Sequence, residues 1–511
     1  MTGRASSPRS IGVRLVAVAA SASVSAVVTG CMVGPDFLRP TVPDAAGYTP
    51  EKLLAATSGA DIHGGEAQRF LEDLDVPAQW WSLFQSPALD ALVEQALRAN
   101  PTLDSAKAVL RQAQENVYAE QGALFPTVTG SVSTTREKIS GASFGIPGFS
   151  SIFSVHTAAL SVSYPLDVFG GTRRQIESLA AQAEYEGFQL EAAYLSLTAN
   201  VVTAAVSEAS LRAQIAATRE IIDVETKQLD VLQRQFELGG QSKVAVLAQA
   251  ATLAQERATL PPLEKQLAQQ RNNLAILAGR FPSEELDATF DLDALQLPAD
   301  LPVSLPSKLV EQRPDVRSSE SQLHEASAEI GVATANQLPQ LTLSGEYGSS
   351  TTGNFFTPGS GIWSIGASLT QTLFDAGTLL HKKRSAVAGF DQAAAQYRST
   401  VLGAFQDVAN TLRALQSDAD ALQAQLAAER AAAASLDISR EQFRAGAITY
   451  LSLLTAEQTY QQARINLVQA QANRFSDTAA LFQALGGGWW HRSDVPRANG
   501  APRSLGDFFV P

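Results

Sequence analysis

Two stretches of the chain, from Gly171 to Leu238 and from Gly377 to Ala445, run for close to seventy residues without proline and are rich in Ala, Gln, Leu and Glu. Such sequences favour helix, and at about 1.5 Å per residue each predicts a rod roughly 100 Å long, which no compact domain contains. Seam positions recur in alternating four- and three-residue steps at Leu211, Ile215, Thr218, Ile222, Glu225, Leu229, Leu232 and Phe236. They recur again at Leu451, Leu454, Gln458, Gln461, Ile465, Val468, Ala472, Phe475 and Ala479. This spacing predicts coiled-coil packing. Gly239-Gly240 and Gly446 separate each long helix from a returning one, so two helical hairpins are expected, with glycine tips at 238–242 and 444–448. Pro261-Pro262 lies in the first returning helix only and predicts a bend or break there.

Four short segments have a period of two instead. In Thr127–Ser133 and Leu341–Tyr347 one face is apolar or glycine and the other hydroxyl or acid; Ala158, Leu160, Val162 and Tyr164 alternate with Thr157, Ala159, Ser161 and Ser163, and Trp363, Ile365, Ala367 and Leu369 alternate with Ser364, Gly366, Ser368 and Thr370. Strands are expected at about 124–135, 155–168, 339–348 and 362–374, each long enough to cross a membrane when tilted. Alternation alone also fits a soluble sheet with one wet face. Four strands are few for a sandwich and too few to close a barrel from one chain, so closure requires several copies. The candidate lipid-facing residues are Val128, Val132, Leu160, Val162, Leu341, Leu343, Trp363 and Ile365.

The elements repeat. Asn100-Pro101 and Leu124-Phe125-Pro126 recur 213 residues later as Arg313-Pro314 and Gln337-Leu338-Pro339; Phe169-Gly170, Phe236-Glu237-Leu238-Gly239 and Gly279 recur 207 residues later as Ala376-Gly377, Phe443-Arg444-Ala445-Gly446 and Gly486. The length change falls between strands, where loops tolerate it. The organisation read from this is a leader at 1–30, an N-terminal extended or equatorial segment at 31–85, one repeat at 86–300, a second at 301–488, and a flexible tail at 489–511 rich in Pro, Gly, Ser and Arg. The fold class is mainly α with a small β part and an internal two-fold repeat.

Arg4, Arg9 and Arg14 precede an apolar and small-residue run from Leu15 to Val28, which has the grammar of a secretory signal and is too short to remain as a spanning helix. Val28-Thr29-Gly30-Cys31 resembles a bacterial lipobox, and the chain's one cysteine stands where acylation would occur; the bland alternative is an ordinary buried cysteine. Acyl chains on Cys31 would add about 0.8 kcal/mol of membrane affinity per buried methylene. Met32 in the next position points to sorting to the outer membrane. A net charge of −13 argues against nucleic-acid binding. One cysteine and five scattered histidines are too few for most metal or nucleophile constellations, so no cofactor, metal or catalytic residue is assigned and an enzyme is not expected. Gly141-Ala142-Ser143-Phe144-Gly145 fits a nucleophile-elbow pattern but lacks the strand-to-helix context. Acid pairs such as Asp418 and Asp420, or Glu284 and Glu285, read as solvated faces, and His381-Lys382-Lys383-Arg384 reads either as a contact to anionic headgroups or as a solvated helix start.

Several motifs, weak singly, are specific in their order. They are Cys31-Met32-Val33-Gly34-Pro35-Asp36-Phe37 with Pro40; Trp80-Trp81 with Phe84, Pro87 and Leu89; Arg313-Pro314-Asp315-Val316-Arg317; and Phe443-Arg444-Ala445-Gly446-Ala447-Ile448-Thr449-Tyr450-Leu451. From residue 31 to about 488 the chain resembles TolC-like outer-membrane efflux proteins, in the NodT-type lipoprotein branch that serves resistance-nodulation-division pumps. The resemblance implies a homotrimer whose strands close one twelve-stranded barrel, continued by an α-helical barrel through the periplasm. It also implies docking to a periplasmic adaptor through the tips, with the pump beneath.

The function expected is therefore a passive exit duct for small toxic compounds, lipid-anchored in the outer membrane. A duct for secreted polypeptides of type I kind and a purely structural envelope spacer are the alternatives. Candidate tip or adaptor contacts are Gly239, Gly240, Arg444, Gly446, Ala447 and Tyr450, with Glu441 beside them. Aspartates that the family often carries after the second tip are replaced by Ser452 and Thr455, which puts an acidic ring there in doubt.

Overall fold

The computed structural model describes residues 32–493 apart from 42–46, 73, 142–144, 146–147, 285 and 356; the leader, Cys31, the serine of the elbow-like motif and the tail from 494 lie outside the described residues. The order is β1 (Arg69–Leu71), α1 (Pro87–Ala99), α2 (Pro101–Gln121), β2 (Thr127–Ser140), β3 (Ser150–Leu166), α3 (Gly171–Glu237) and α4 (Lys243–Leu277). Then follow β4 (Asp300–Pro302), α5 (Pro306–Gln312), α6 (Pro314–Ala335), β5 (Gln340–Thr351), β6 (Gly361–Thr370), α7 (Thr378–Arg444) and α8 (Tyr450–Ala484). The long helices α3 and α7 have 67 residues each and the returning helices α4 and α8 have 35 each, so the repeat holds residue for residue in the helical part.

Each helix boundary has a local cause. Between β3 and α3, Asp167 accepts the N–H groups of Thr172 and Arg173, both at 3.0 Å, while Gly170 turns the chain at φ +77°. Between β6 and α7, Asp375 accepts from Gly377 and Leu379 at 2.8 and 2.7 Å, with Gly377 at φ +88°. The carboxylates occupy the positive ends of the two longest helix dipoles. At the far ends, Gly239 and Gly446 sit at φ +76° and +72°, and the next residue's N–H reaches back five positions: Gly240 to the Gln235 carbonyl, Ala447 to that of Gln442. These are left-handed helix stops. Ser242 and Thr449 then cap α4 and α8 by accepting from Ala245 and Ser452.

Pro261 and Pro262 do not break α4, which runs unbroken from Lys243 to Leu277. The residues around the pair are exposed, so water can serve the carbonyls that the prolines leave without N–H partners. The tail expectation also needs correction at its start. Trp489 donates to the Gln312 carbonyl at 2.6 Å, His491 meets Asp75 at 2.8 Å, and Arg492 pairs with Glu191 at 2.7 Å and stacks over Tyr194. Residues 489–492 are thus docked rather than flexible.

The main core lies at the equator, where α1 and the Trp80–Phe84 turn meet α3 and α8. Trp80 is fully buried, stacked on Phe482 with centroids 5.4 Å apart and edge-on to Trp81 and Phe84. A parallel pairing of β1 with β4 joins residues 69–71 to the linker between the repeats.

Candidate functional site

The sheet at one end has the order β2-β3-β5-β6, antiparallel throughout, so β2 and β6 are its two open edges. Directly paired residues share a face, and the register places Val128 opposite Val162, Leu160 opposite Tyr347, Tyr164 opposite Leu343, Leu166 opposite Leu341, Gly345 opposite Ile365, and Tyr347 opposite Trp363. All eight residues singled out in the sequence therefore lie on one face. Val132, Trp363 and Ile365 are 74%, 74% and 84% exposed, so this face is apolar, continuous and uncovered. Thr129, Ser161, Ser344, Glu346 and Ser368 belong to the opposite face. Such a sheet is unstable in water on two counts, its bare apolar face and its two open edges. The strands extend further towards the outer loops than expected, β2 to Ser140 and β3 from Ser150.

Where sheet meets helices, residues 32–39 form a strap across α3 and α6. The Val33 N–H donates to the Phe169 carbonyl at 3.1 Å; a side chain on Gly170 would overlap Met32, and one on Gly34 would overlap the Gly331 backbone. Arg174 is buried beneath the strap. Its guanidinium donates to the carbonyls of Val33 (3.1 Å) and Gly34 (3.5 Å) and to the carboxylates of Asp36 and Glu177 (2.7 Å each). Phe37 stacks on His324 at 4.4 Å, and Arg39 pairs with Glu320. Cys31 immediately precedes this fastened segment. His381, Lys382 and Arg384 are exposed at the matching start of α7.

At the opposite end both glycine tips come together. A cavity of about 850 Å³ is lined by Gly240 and Gln241 from one tip and Arg444 and Gly446 from the other, with Val231, Arg440 and Phe443 along its sides. Gly239, Gly240, Arg444, Gly446, Ala447 and Glu441 are exposed there, but Tyr450 is not. It is 4% exposed, packs edge-on against Phe443 and donates its hydroxyl to Gln249 Oε1, so it is not available as an outward contact. The predicted seam holds near this tip at Leu454 and Gln461, which are buried, but not at Leu451 and Gln458, which are exposed; Tyr450, Leu453 and Glu457 face inward as well.

That phase brings a polar cluster into the core. Glu225 of α3 and Glu457 of α8 are both buried. Gln461 donates to Glu225 Oε1 at 2.9 Å, and Gln249 of α4 donates to the Glu225 carbonyl at 3.0 Å. Burial pushes the Glu457 carboxyl up to about 7, the Arg440 guanidinium opposes this, and the neighbouring Glu225 adds to it. Sequence reasoning missed this group; its signals were two polar residues at seam positions, Glu225 on one hairpin and Gln461 on the other.

The family described as Outer membrane efflux protein matches residues 92–280 and 305–487. The chain is 31% identical to the Pyoverdine export outer membrane protein OpmQ of Pseudomonas aeruginosa over 80% of its own length and 87% of that protein's. It is 28% identical to the Toluene efflux pump outer membrane protein TtgC of Pseudomonas putida, over 91% of its length and 94% of the relative's. The solved outer-membrane channel OprN superposes with a TM-score of 0.80 at 27% identity, covering 90% of this chain and all of that one.

Proposed function

The chain belongs to the outer membrane efflux protein family and is the outer-membrane channel of an efflux system rather than an enzyme, and from that premise we propose that it works as a lipid-anchored homotrimer. The observation that carries this reading is the four-stranded sheet, apolar and bare on one face and open at both edges. Pairing of β6 in one copy with β2 in the next removes the edges, and three copies give twelve strands around a lumen lined by Thr, Ser and Gly. The apolar residues of the bare face then meet lipid. The helices continue the wall for roughly 100 Å into the periplasm, and the exposed tips are the surface for a periplasmic adaptor and, through it, a resistance-nodulation-division pump. Acylation of Cys31 sets the anchor where the strap is already fastened, at the junction of sheet and helices. Export of pyoverdine by one relative and service to a toluene pump by another support a cargo of small molecules, with selection made by the pump.

The test is a photo-cross-linking residue at Ala447 in living cells, with the captured partners identified by mass spectrometry. Capture of a periplasmic adaptor is expected. Capture of neighbouring copies alone would remove adaptor docking from the account.

A further inference from the structure

The strongest unexplained feature is the buried polar cluster on the seam between the two hairpins. Four of its oxygens meet no hydrogen-bond donor among the described residues: Glu225 Oε2, both carboxylate oxygens of Glu457, and Gln461 Oε1. Buried acceptors without donors are costly, and two facing carboxylates more so. We propose that Glu225 and Glu457 form a proton-binding site that fastens α3 to α8, the hydrogen on Glu457 supplying one donor among these acceptors, and that losing it to water loosens the seam between the hairpins.

The surroundings decide the sign. On α8 the cluster holds Tyr450, whose hydroxyl is spent on Gln249, and Gln461. From α3 comes Glu225, with Gln228 near the Tyr450 hydroxyl. From α4 come Gln249 and, acting on Glu225 at longer range, the carboxylate of Glu256. From α7 comes Arg440, whose Nε is 4.0 Å from Glu457 Oε1 and which also pairs with Asp437 at 3.6 Å. With both glutamates ionised, one shared and distant cation faces two buried anions; one proton balances the site. Glu457 titrates at about 7 when packed against 4.5 when exposed to water, so the packed seam binds more protons than the loosened one between those values. Engagement is therefore complete at low pH, weakens about tenfold per pH unit across that window, roughly 300-fold in all, and is constant above it.

The readout is the distance between spin labels at Asp230→Cys on α3 and Gln458→Cys on α8, in full-length Cys31→Ser protein in nanodiscs, from about pH 5 to pH 8.5. The distribution should be narrow at low pH and broaden towards pH 8.5, with loss of a protonated-carboxyl infrared band over the same range. Glu457→Gln, which keeps a donor, should stay narrow throughout. Glu225→Gln, which removes the opposing anion, should move the transition to lower pH. An unchanged distribution in the parent protein, or the same pH response in Glu457→Gln, overturns the proposal. Restoration of the narrow state by Mg²⁺ at pH 8.5 overturns the proton assignment in favour of a cation on the same oxygens. The idea rests on the duct reading only for its meaning at the channel mouth; these measurements report the seam whether or not the protein conducts, so the two readings fail separately.

Discussion

Replacing Arg174 with methionine tests whether the strap is held at the membrane end by this one side chain. The methionine keeps most of the apolar stem that fills the groove and removes the guanidinium. The bond to Asp36 counts for less than about 1 kcal/mol, because that carboxylate is 89% exposed and screened. Glu177 loses one partner but keeps His324 at 3.0 Å. What is lost outright is the charged donor to the Val33 and Gly34 carbonyls, at roughly 1.5–3 kcal/mol for a hydrogen bond to a charged group. Together these give about 3 kcal/mol, or on the order of 100-fold in the docking equilibrium of the strap. Amide hydrogen exchange in the full-length protein reads it directly, since the Val33 N–H is bonded to Phe169 only while the strap is docked. Val33 should exchange on the order of 100-fold faster while amides in the middle of α3 keep their protection. A Val33 rate equal to the parent's refutes the clamp, and a uniform loss along α3 shows that Arg174 supports the bundle instead.

Two further changes separate the ends of the molecule. Ile365→Lys places a charge on the apolar sheet face and should cost about 2–4 kcal/mol at mid-membrane, read as loss of folded protein from the outer membrane; Ser364→Lys, on the opposite face, should assemble normally, and equal levels of both variants would mean that the apolar face meets water. Trp80→Ala removes the ring stacked on Phe482 at the equator and should lower the melting temperature by an amount matching about 3–5 kcal/mol; a melting temperature within a degree of the parent's would place the stabilising core elsewhere.

Much of this architecture was legible because it depends on periodicity and on punctuation. The proline-free runs, the glycine tips and the offset of 207 residues located α3, α7 and both hairpins within a residue or two, and the period-two segments assigned every lipid-face candidate to one side of the sheet. What stayed hidden depends on contacts between distant segments. Nothing in Thr172-Arg173-Arg174 distinguishes the arginine that disappears under residues 33 and 34 from its neighbour, which turns back to Asp167. The α8 seam near its tip was placed correctly at Leu454 and Gln461, which are buried, and wrongly at Leu451 and Gln458, which are exposed. The structure also turns Tyr450 towards Phe443, and Glu457 faces inward on the same side two turns later. The break expected at the proline pair is absent for a simpler reason: an exposed helix can hydrate the carbonyls that proline leaves unpaired.

Two departures from two-fold symmetry lie at opposite ends, and each involves residues that the other repeat lacks. Arg174 corresponds at the 207-residue offset to His381, which is exposed, and the strap that covers Gly170 has no counterpart over Gly377 among the described residues. Leu373 and Phe374, just before that second junction, are 93% and 88% exposed. At the tips, Glu225, Glu457 and Gln461 correspond to Ala432, Ala250 and Ala254. The repeated elements therefore supply the wall of the duct, while the strap and the carboxyl pair occur once per chain. The proposed trimer would carry three of each, at alternate positions around a ring of six repeats. If the carboxyl pair governs engagement of the hairpins, each chain loosens along its single α3–α8 seam, and the mouth opens with three-fold rather than six-fold symmetry.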